Sequence, residues 1–278
     1  MKISYNEATA MKCSSLEKDL QLCEKIGYDF IEIRLDMLED YLKTHTVYDL
    51  KSFFDNSRIK PHAFNALFNI NFCDDAAWGR LTYEFMLACR TGEKIGDHYV
   101  VIVPTITKEP NAHSEQQVFD DSVKNLTRLS DIGRDYGMRL AFEPVGNPGC
   151  CVRTVRQAWD IVKTINRYDV GLTFDAFNLY LNNKLNHFED MKIVDLDKLF
   201  VVHLDDSDDF PIEVLDHCDR CFPGEGVIDL KNYIGTLKEM NYEGMISIET
   251  FRPEYWGKDP EWVIRRGYET TRKLLESV

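Results

Sequence analysis

Four ionisable side chains occupy equivalent places in the sequence, each directly after a short run of mostly apolar residues. They are Glu143, Asp175, His203 and Glu249. Three carboxylates brought close together repel one another, and a divalent cation removes that repulsion. A set of carboxylate oxygens with one imidazole suits Mn²⁺, Zn²⁺, Co²⁺ or Fe²⁺ better than it suits thiolate-seeking ions. Each residue alone would be interpreted as a salt-bridge partner at a rim, but the four together predict one divalent metal ion.

Parallel strands are the elements that would bring these residues together. Eight apolar runs of strand length alternate with helical segments, and eight such units close most economically as a (β/α)8 TIM barrel. The carboxyl ends of all barrel strands meet at one mouth, so side chains that follow the last four strands converge there. No linker or low-complexity tract divides the chain, which predicts a single domain over residues 1–278. The strands are expected to begin near Ile3, Phe30, Pro61, Tyr99, Leu140, Val170, Phe200 and Met245.

Helix-start signals fall between the expected strands. Ser14 with Glu17, and Thr154 with Gln157, have the spacing of capping boxes, in which two side chains satisfy free backbone N–H groups reciprocally. Asp259 precedes a proline, and this pair predicts the start of the last helix because proline lacks the N–H that the first helical turn leaves unpaired.

Composition narrows the classes of function. With 33 Lys+Arg against 47 Asp+Glu, the net charge is −14, which disfavours a nucleic-acid binder because such a protein needs a basic face. No uncharged apolar run approaches the roughly 18 residues that span a bilayer, and the first residues show no apolar leader. We interpret the eight cysteines as reduced thiols and expect a cytoplasmic protein without a membrane partner.

Five segments, spread from the first expected strand to the last, carry distinctive sequences: residues 5–9 (YNEAT), 28–34 (YDFIEIR), 203–212 (HLDDSDDFPI), 223–230 (PGEGVIDL) and 251–255 (FRPEY). These segments closely resemble those of the inosose isomerases of bacterial myo-inositol catabolism. That group belongs to the sugar isomerase and epimerase barrels, which are also related to endonuclease IV. The segments after the seventh and eighth strands are the most specific.

The resemblance implies a xylose isomerase-like barrel that holds a divalent metal at the four strand-end residues. It also implies interconversion of ketoinositols by moving a carbonyl to the adjacent carbon. Such a shift requires removing a C–H proton next to the carbonyl and stabilising the enediolate that forms. By analogy with the epimerase relatives, Glu143 and Glu249 are the expected base and acid, in either order.

The resemblance further implies which residues contact the substrate, a small keto-polyol. Arg220 and Arg252 occupy positions where the family places basic residues, and Glu32 lies at the mouth of the second strand. Asn178 and Asn147 stand where family members usually carry histidine. Asparagine can hydrogen-bond a hydroxyl but cannot carry a proton near neutral pH, so the exact substrate stays open.

Alternatives remain at this point. A dehydratase of a keto-polyol or of the 3-dehydroshikimate type shares the proton abstraction next to a carbonyl and differs only in the fate of the enediolate. A catalytically silent metal-binding relative is a third possibility, and an apurinic endonuclease fits the acidic charge poorly. Zinc or manganese is the expected ion, with cobalt, iron or magnesium also compatible. A homodimer is possible.

Weaker signals have no assigned role. Asn6 and Asn65 lie near the first and third strands, where a contact with substrate hydroxyls and a turn or capping role are equally plausible. His217 is unassigned, with a core or surface position as the default.

Overall fold

Parallel strands form the centre of the computed structural model, which describes residues 1–107, 109, 112–183 and 186–278. The barrel strands are β1 (Lys2–Asn6), β2 (Phe30–Arg34), β3 (Lys60–Leu67), β4 (Tyr99–Ile102), β5 (Arg139–Phe142), β6 (Val170–Asp175), β7 (Leu199–Leu204) and β10 (Met245–Ile248). A two-stranded antiparallel pair, β8 (Asp206–Ser207) and β9 (Arg220–Cys221), lies in the loop after β7. In this described part of the chain the eight barrel strands close in the order β1-β10-β7-β6-β5-β4-β3-β2. The predicted barrel is therefore confirmed, with each strand beginning within one residue of its expected start.

Helices cover the outside of the barrel. They are α1 (Leu16–Ile26), α2 (Leu35–Tyr41), α3 (Val47–Asn56), α4 (Asp75–Ile95), α5 (Glu115–Gly133), α6 (Val155–Ile165), α7 (Ala176–Asn183), α8 (Leu230–Glu239), α9 (Pro253–Trp256) and α10 (Pro260–Leu275). The main hydrophobic core lies between these helices and the outward faces of the strands. Among the helices within the described ranges, none has the length and apolar character needed to cross a bilayer.

Two of the three helix-start predictions are confirmed. Thr154 and Gln157 form the capping box of α6, and Asp259 caps α10 with proline in its first turn. The prediction for α1 is wrong, because its N-cap is Ser15. The Ser14 hydroxyl instead donates a hydrogen bond to Asp19, a buried carboxylate that would otherwise lack this donor.

A smaller apolar cluster fills the inside of the barrel. Side chains alternate across a strand, so every second residue points inward. Ala63, Ala66 and Ala141 of this cluster take up little volume, while Phe200 and Val201 fill the space nearer the opposite end of the barrel. Shifts of strand register in β3 and between β6 and β7 interrupt the alternation next to Ala66 and Phe200. Small inward side chains leave room for a cavity at the mouth.

We expect two glycine-to-alanine substitutions to have opposite effects. A Cβ on Gly171 of β6 would lie 2.6 Å from the Phe200 ring and would also meet the Lys198 carbonyl. Overpacking of this kind should lower the free energy of unfolding by about 1–3 kcal/mol. Gly235 in α8 has open space around it, and alanine there should raise the free energy of unfolding by about 0.5–1 kcal/mol. Urea unfolding curves measure both, and a stable Gly171→Ala variant would contradict the tight packing of the barrel interior.

Candidate metal centre and cavity

The four residues predicted to bind a metal meet at the barrel mouth. Asp175 ends β6, His203 is the penultimate residue of β7, and Glu143 and Glu249 directly follow β5 and β10. All four are buried, and one potential ligand atom from each lies within 4.8 Å of the others. The period of two along each strand aims these side chains into the barrel rather than at the helices.

The distances suit a metal ion. His203 Nδ1 lies 3.4 Å from Glu249 Oε2, 3.6 Å from Asp175 Oδ2 and 3.8 Å from Glu143 Oε1. Four ligands at about 2.0–2.2 Å in a tetrahedron are separated from one another by about 3.3–3.6 Å. His203 Nδ1 is buried and has no hydrogen-bond partner among the described residues, as expected of a nitrogen whose lone pair serves a cation. The donor set therefore fits a divalent cation.

The opposite edge of the His203 ring is fixed by Glu32. His203 Nε2 and Glu32 Oε2 are 3.1 Å apart, and both side chains are fully buried. A proton on Nε2 donates to this carboxylate and leaves Nδ1 free as a ligand. Burial opposes ionisation of Glu32, yet the facing His203 holds the pKa of that carboxyl below its ordinary value. Glu32, expected near the substrate, lies behind the imidazole instead.

Amide side chains orient the two glutamates. Asn178 Nδ2 donates to Glu143 Oε1 at 2.8 Å. Asn6 Nδ2 and Asn65 Nδ2 each donate to Glu249 Oε1 at 2.9 Å. Burial raises the pKa of Glu143 to about 7, with opposing contributions from His203. Asn6 and Asn65 thus bind Glu249 at Oε1 and leave Oε2 facing the ligand cluster. Asn178 binds Glu143 at Oε1, the oxygen that also faces His203 Nδ1.

Arg220 is a fully buried cation beside the cluster. Its Nη1 lies 3.0 Å from Asp175 Oδ2 and 2.7 Å from both Asp205 Oδ2 and Glu249 Oε2. A buried guanidinium of this kind offsets the negative charge of several carboxylates at once. The structure thus brings Arg220, predicted as a substrate contact, into the same site as the metal ligands.

The loop that carries Arg220 is organised by Asp206. Its carboxylate accepts hydrogen bonds from the backbone N–H groups of Ser207, Gly224, Gly226 and Ile228 at 2.9–3.0 Å. The β8–β9 ladder then pairs Ser207 with Arg220. These contacts explain why acidic residues follow β7 and why glycines follow Arg220 in the sequence.

Arg252 lies outside the ligand cluster. Its Nη1 donates to Asp208 Oδ2 at 2.9 Å, and its guanidinium lies 5.7 Å from the centre of the Tyr255 ring. The side chain is 20 % exposed and is not among the described residues that line the cavity above the cluster. The geometry therefore places Arg252 on the loop between β10 and α9, where it contacts protein groups.

A cavity of about 260 Å³ opens directly above the ligand cluster. Glu143, Glu249, Asn178, Arg220 and Asn65 supply polar groups to its wall. The remaining lining is mostly apolar and is formed by Phe68, Val103, Ile106, Val145, His217 and Phe251. A concave site with converging polar groups beside an apolar wall is typical of small-molecule binding.

Sequence reasoning left two of these lining residues without a firm role. Asn65 alternates with the inward-facing Ala63 on β3, so strand periodicity could have placed it inside the barrel. His217 lies in an irregular loop, where no periodic signal exists. Asn147, by contrast, is not among the described residues that line the cavity. Its Oδ1 accepts a hydrogen bond from the Gly149 N–H of the same loop at 2.8 Å.

Comparisons with known proteins agree with this geometry. Residues 20–274 match the family model described as xylose isomerase-like TIM barrel. Inosose isomerase of Bacillus licheniformis is 43% identical over 276 residues, which cover 99% of this chain and 98% of that protein. Inosose isomerase of Bacillus subtilis strain 168 is 42% identical, covering 98% of this chain and 96% of that protein.

A solved structure of the IolI protein with a bound zinc atom has a TM-score of 0.94 and 41% identity to this chain. The match covers 100% of this chain and 99% of that one. Sequence similarity, barrel topology and the buried ligand cluster therefore lead to one assignment. The chain belongs to the xylose isomerase-like TIM-barrel family and, within it, to the group of the inosose isomerases.

Proposed function

We propose that this protein is a divalent-metal-dependent isomerase that moves the carbonyl of an inosose to the adjacent ring carbon. The observation that carries the proposal is the cluster of Glu143, Asp175, His203 and Glu249 at the floor of a small-molecule cavity. Full-length similarity to inosose isomerases supports the substrate class. Zinc is the ion of first choice, because it is bound in the related IolI structure and the ligand spacing suits it.

The proposed chemistry divides between the cation and the protein. When bound, a divalent cation at the four ligands supplies a Lewis acid for the substrate oxygens, which lowers the cost of negative charge on them. One of Glu143 and Glu249 removes the C–H proton next to the carbonyl, and the other donates a proton to the former carbonyl carbon. The O–H proton of the hydroxyl that becomes the new carbonyl passes to the former carbonyl oxygen, and exchange with solvent returns both glutamates to their starting protonation states. Both glutamates line the cavity, so both can reach a bound ring.

The other residues bind and orient. Asn178 and Arg220 line the cavity and contact the substrate in this proposal. Glu32 acts as a positioning residue that fixes the His203 ring. Arg252 acts through the loop that it bonds at Asp208. Apolar residues of the cavity wall exclude water from the proton-transfer step.

Product analysis in heavy water tests the function. The purified protein is loaded with zinc and incubated with an inosose in D₂O, and the products are followed by NMR and mass spectrometry. We expect an isomer that keeps all its oxygen atoms and carries deuterium at the former carbonyl carbon. Removing the metal with a chelator should abolish the reaction, and added zinc should restore it. Loss of water from the ketone would instead identify the dehydratase alternative.

We expect Glu32→Gln to weaken zinc binding without removing a ligand. The amide cannot supply the negative charge that orients His203 and raises the basicity of its ligating nitrogen. Metal affinity should fall about 10-fold to 100-fold, as measured by competition with a chelator. The control is Glu243→Gln, because the Glu243 side chain is exposed. Glu24 is less suitable, because its carboxylate accepts a hydrogen bond from the backbone N–H of Ile59. Equal affinities of the Glu32→Gln and Glu243→Gln variants would contradict the positioning role.

Three broader features are also proposals. We propose that residues 1–278 act as one domain, that the protein works in the cytoplasm and that it forms a homodimer. The eight cysteines are all free, which suits a reducing compartment. Light scattering on the purified protein measures the oligomeric state, and a monomer at micromolar concentration would exclude a stable dimer.

A further inference from the structure

The cavity contains one titratable group that the proposed chemistry does not use. Among the titratable side chains in the described cavity lining, Glu143, Arg220 and Glu249 have roles, whereas His217 has none. His217 lies in the loop between β8 and β9, three residues before Arg220. It is half-buried, and it faces the same space as the catalytic glutamates.

The backbone of His217 is held firmly. Its N–H donates to Asp216 Oδ1 at 2.7 Å, and its carbonyl accepts a hydrogen bond from the Arg220 N–H. The Asp216 N–H donates to Asp219 Oδ2 at 2.8 Å, which closes the turn from the other side. These contacts fix the position and direction from which the His217 side chain leaves the backbone.

Two phenyl rings fix the orientation of the imidazole. The ring centre of His217 lies 6.2 Å from that of Phe177 and 5.7 Å from that of Phe251. The same rings flank the Arg220 guanidinium, at 5.1 Å for Phe177 and 5.3 Å for Phe251. Because the two phenyl groups contact both basic side chains, His217 and Arg220 form adjoining parts of one wall.

Two polar side chains of the cavity, His217 and Asn178, have hydrogen-bonding capacity that the described part of the protein does not use. Within the described residues, the ring nitrogens of His217 have no hydrogen-bond partner. Burial and the nearby Arg220 charge lower the pKa of His217 to about 4, so the ring is neutral near pH 7 and offers one donor and one acceptor. Asn178 donates to Glu143, but its buried Oδ1 has no partner among the described residues.

We propose that His217 is a specificity residue that binds one ring hydroxyl of the substrate, with Asn178 Oδ1 as the second partner of that hydroxyl. A hydroxyl both donates and accepts, so it can donate to Asn178 Oδ1 while it accepts from the neutral imidazole N–H. The apolar lining residues, which include Val145 and Phe251, offer no side-chain hydrogen bond to this hydroxyl. An analogue without this hydroxyl would leave both protein groups unpaired, which strongly disfavours its binding. The inference rests on the proposed function, since it assumes a keto-polyol in this cavity.

The test combines His217→Phe, which keeps the aromatic packing, with His217→Gln, which restores a donor and an acceptor. His98→Phe, at an exposed position before β4, is the control. Steady-state kinetics are measured with the zinc-loaded enzyme on an inosose and on ring ketones that each lack one hydroxyl. We expect His217→Phe to raise KM about 10-fold to 100-fold with unchanged zinc content, and His217→Gln to recover part of that loss.

The analogues separate specific binding from general damage. In the wild type, one hydroxyl position should contribute strongly to kcat/KM, and in His217→Phe the contribution of that position alone should fall to what Asn178 still supplies. Equal losses at every position, or an unchanged KM, would overturn the role of His217 while leaving the proposed function intact. If the zinc-loaded wild type neither converts nor binds any ring ketone by calorimetry, the proposed function itself fails, and this inference fails with it.

Discussion

Glu249→Gln is expected to reduce the rate of isomerisation by about 10²-fold to 10⁴-fold, the range typical of a lost acid or base. Glu249 Oε1 accepts hydrogen bonds from Asn6 and Asn65, and Oε2 accepts one from Arg220 at 2.7 Å. All three of these side chains donate hydrogen bonds to the carboxylate. A glutamine therefore sets its own NH₂ group against a donor in either orientation, and it also removes a charged metal ligand.

Three measurements identify the cause of that loss. Turnover is measured by NMR, zinc content by elemental analysis, and folding by thermal unfolding. Glu243→Gln, on the exposed turn before β10, is the matched control and should behave as wild type. A Glu249→Gln variant that keeps its zinc and loses turnover supports a role in proton transfer. Turnover within threefold of wild type would show that Glu249 is neither acid nor base.

Residues at strand ends were the part of the site that sequence could predict. A charged side chain at the end of a buried parallel strand has its position determined by the barrel, because all such ends meet at one mouth. Asp175 and Glu249 are close in space for this reason, although they are far apart in the chain. Period-two alternation then determines that they face inward, and no knowledge of the loops is needed.

Depth along a strand was harder to predict. Glu32 looks like the other carboxylates in sequence, yet it lies in the middle of β2, two residues before the strand ends. Each residue adds about 3.3 Å along a strand, so Glu32 lies a layer deeper than Glu143, which follows the end of β5. That difference places Glu32 behind His203 rather than in the cavity wall. Strand boundaries are needed to one-residue accuracy before such a role can be assigned.

Loop residues of the site had no periodic signal. The turn that bears His217 is held by hydrogen bonds between Asp216 and Asp219, and the following loop is held by Asp206. These contacts join residues whose spacing follows no repeat, so they become visible only in the folded chain. Similarity to the inosose isomerases indicated Arg220, whereas physical reasoning from its neighbours in sequence did not.

Arg220→Met is expected to lower the free energy of unfolding by about 3–5 kcal/mol, which corresponds to a decrease in Tm of roughly 10 °C. Arg220 is the guanidinium shared by Asp175, Asp205 and Glu249 at 2.7–3.0 Å. Methionine keeps much of the side-chain volume between Phe177 and Phe251 but leaves the three carboxylates without this cation. The loss should therefore come from uncompensated buried charge rather than from a cavity.

A second substitution separates charge from packing. Asp205 uses one oxygen for the Phe177 N–H and the other for Arg220, so asparagine at this position keeps the first contact and removes the charge. Asp205→Asn alone should destabilise the protein, because its NH₂ group faces the guanidinium. In Arg220→Met/Asp205→Asn both charges are gone, and this double variant should be more stable than Arg220→Met. Thermal and urea unfolding of the four proteins give the coupling energy, expected at about 0.5–3 kcal/mol. Strictly additive losses would mean that the Arg220–Asp205 ion pair does not contribute to the stability of the barrel mouth.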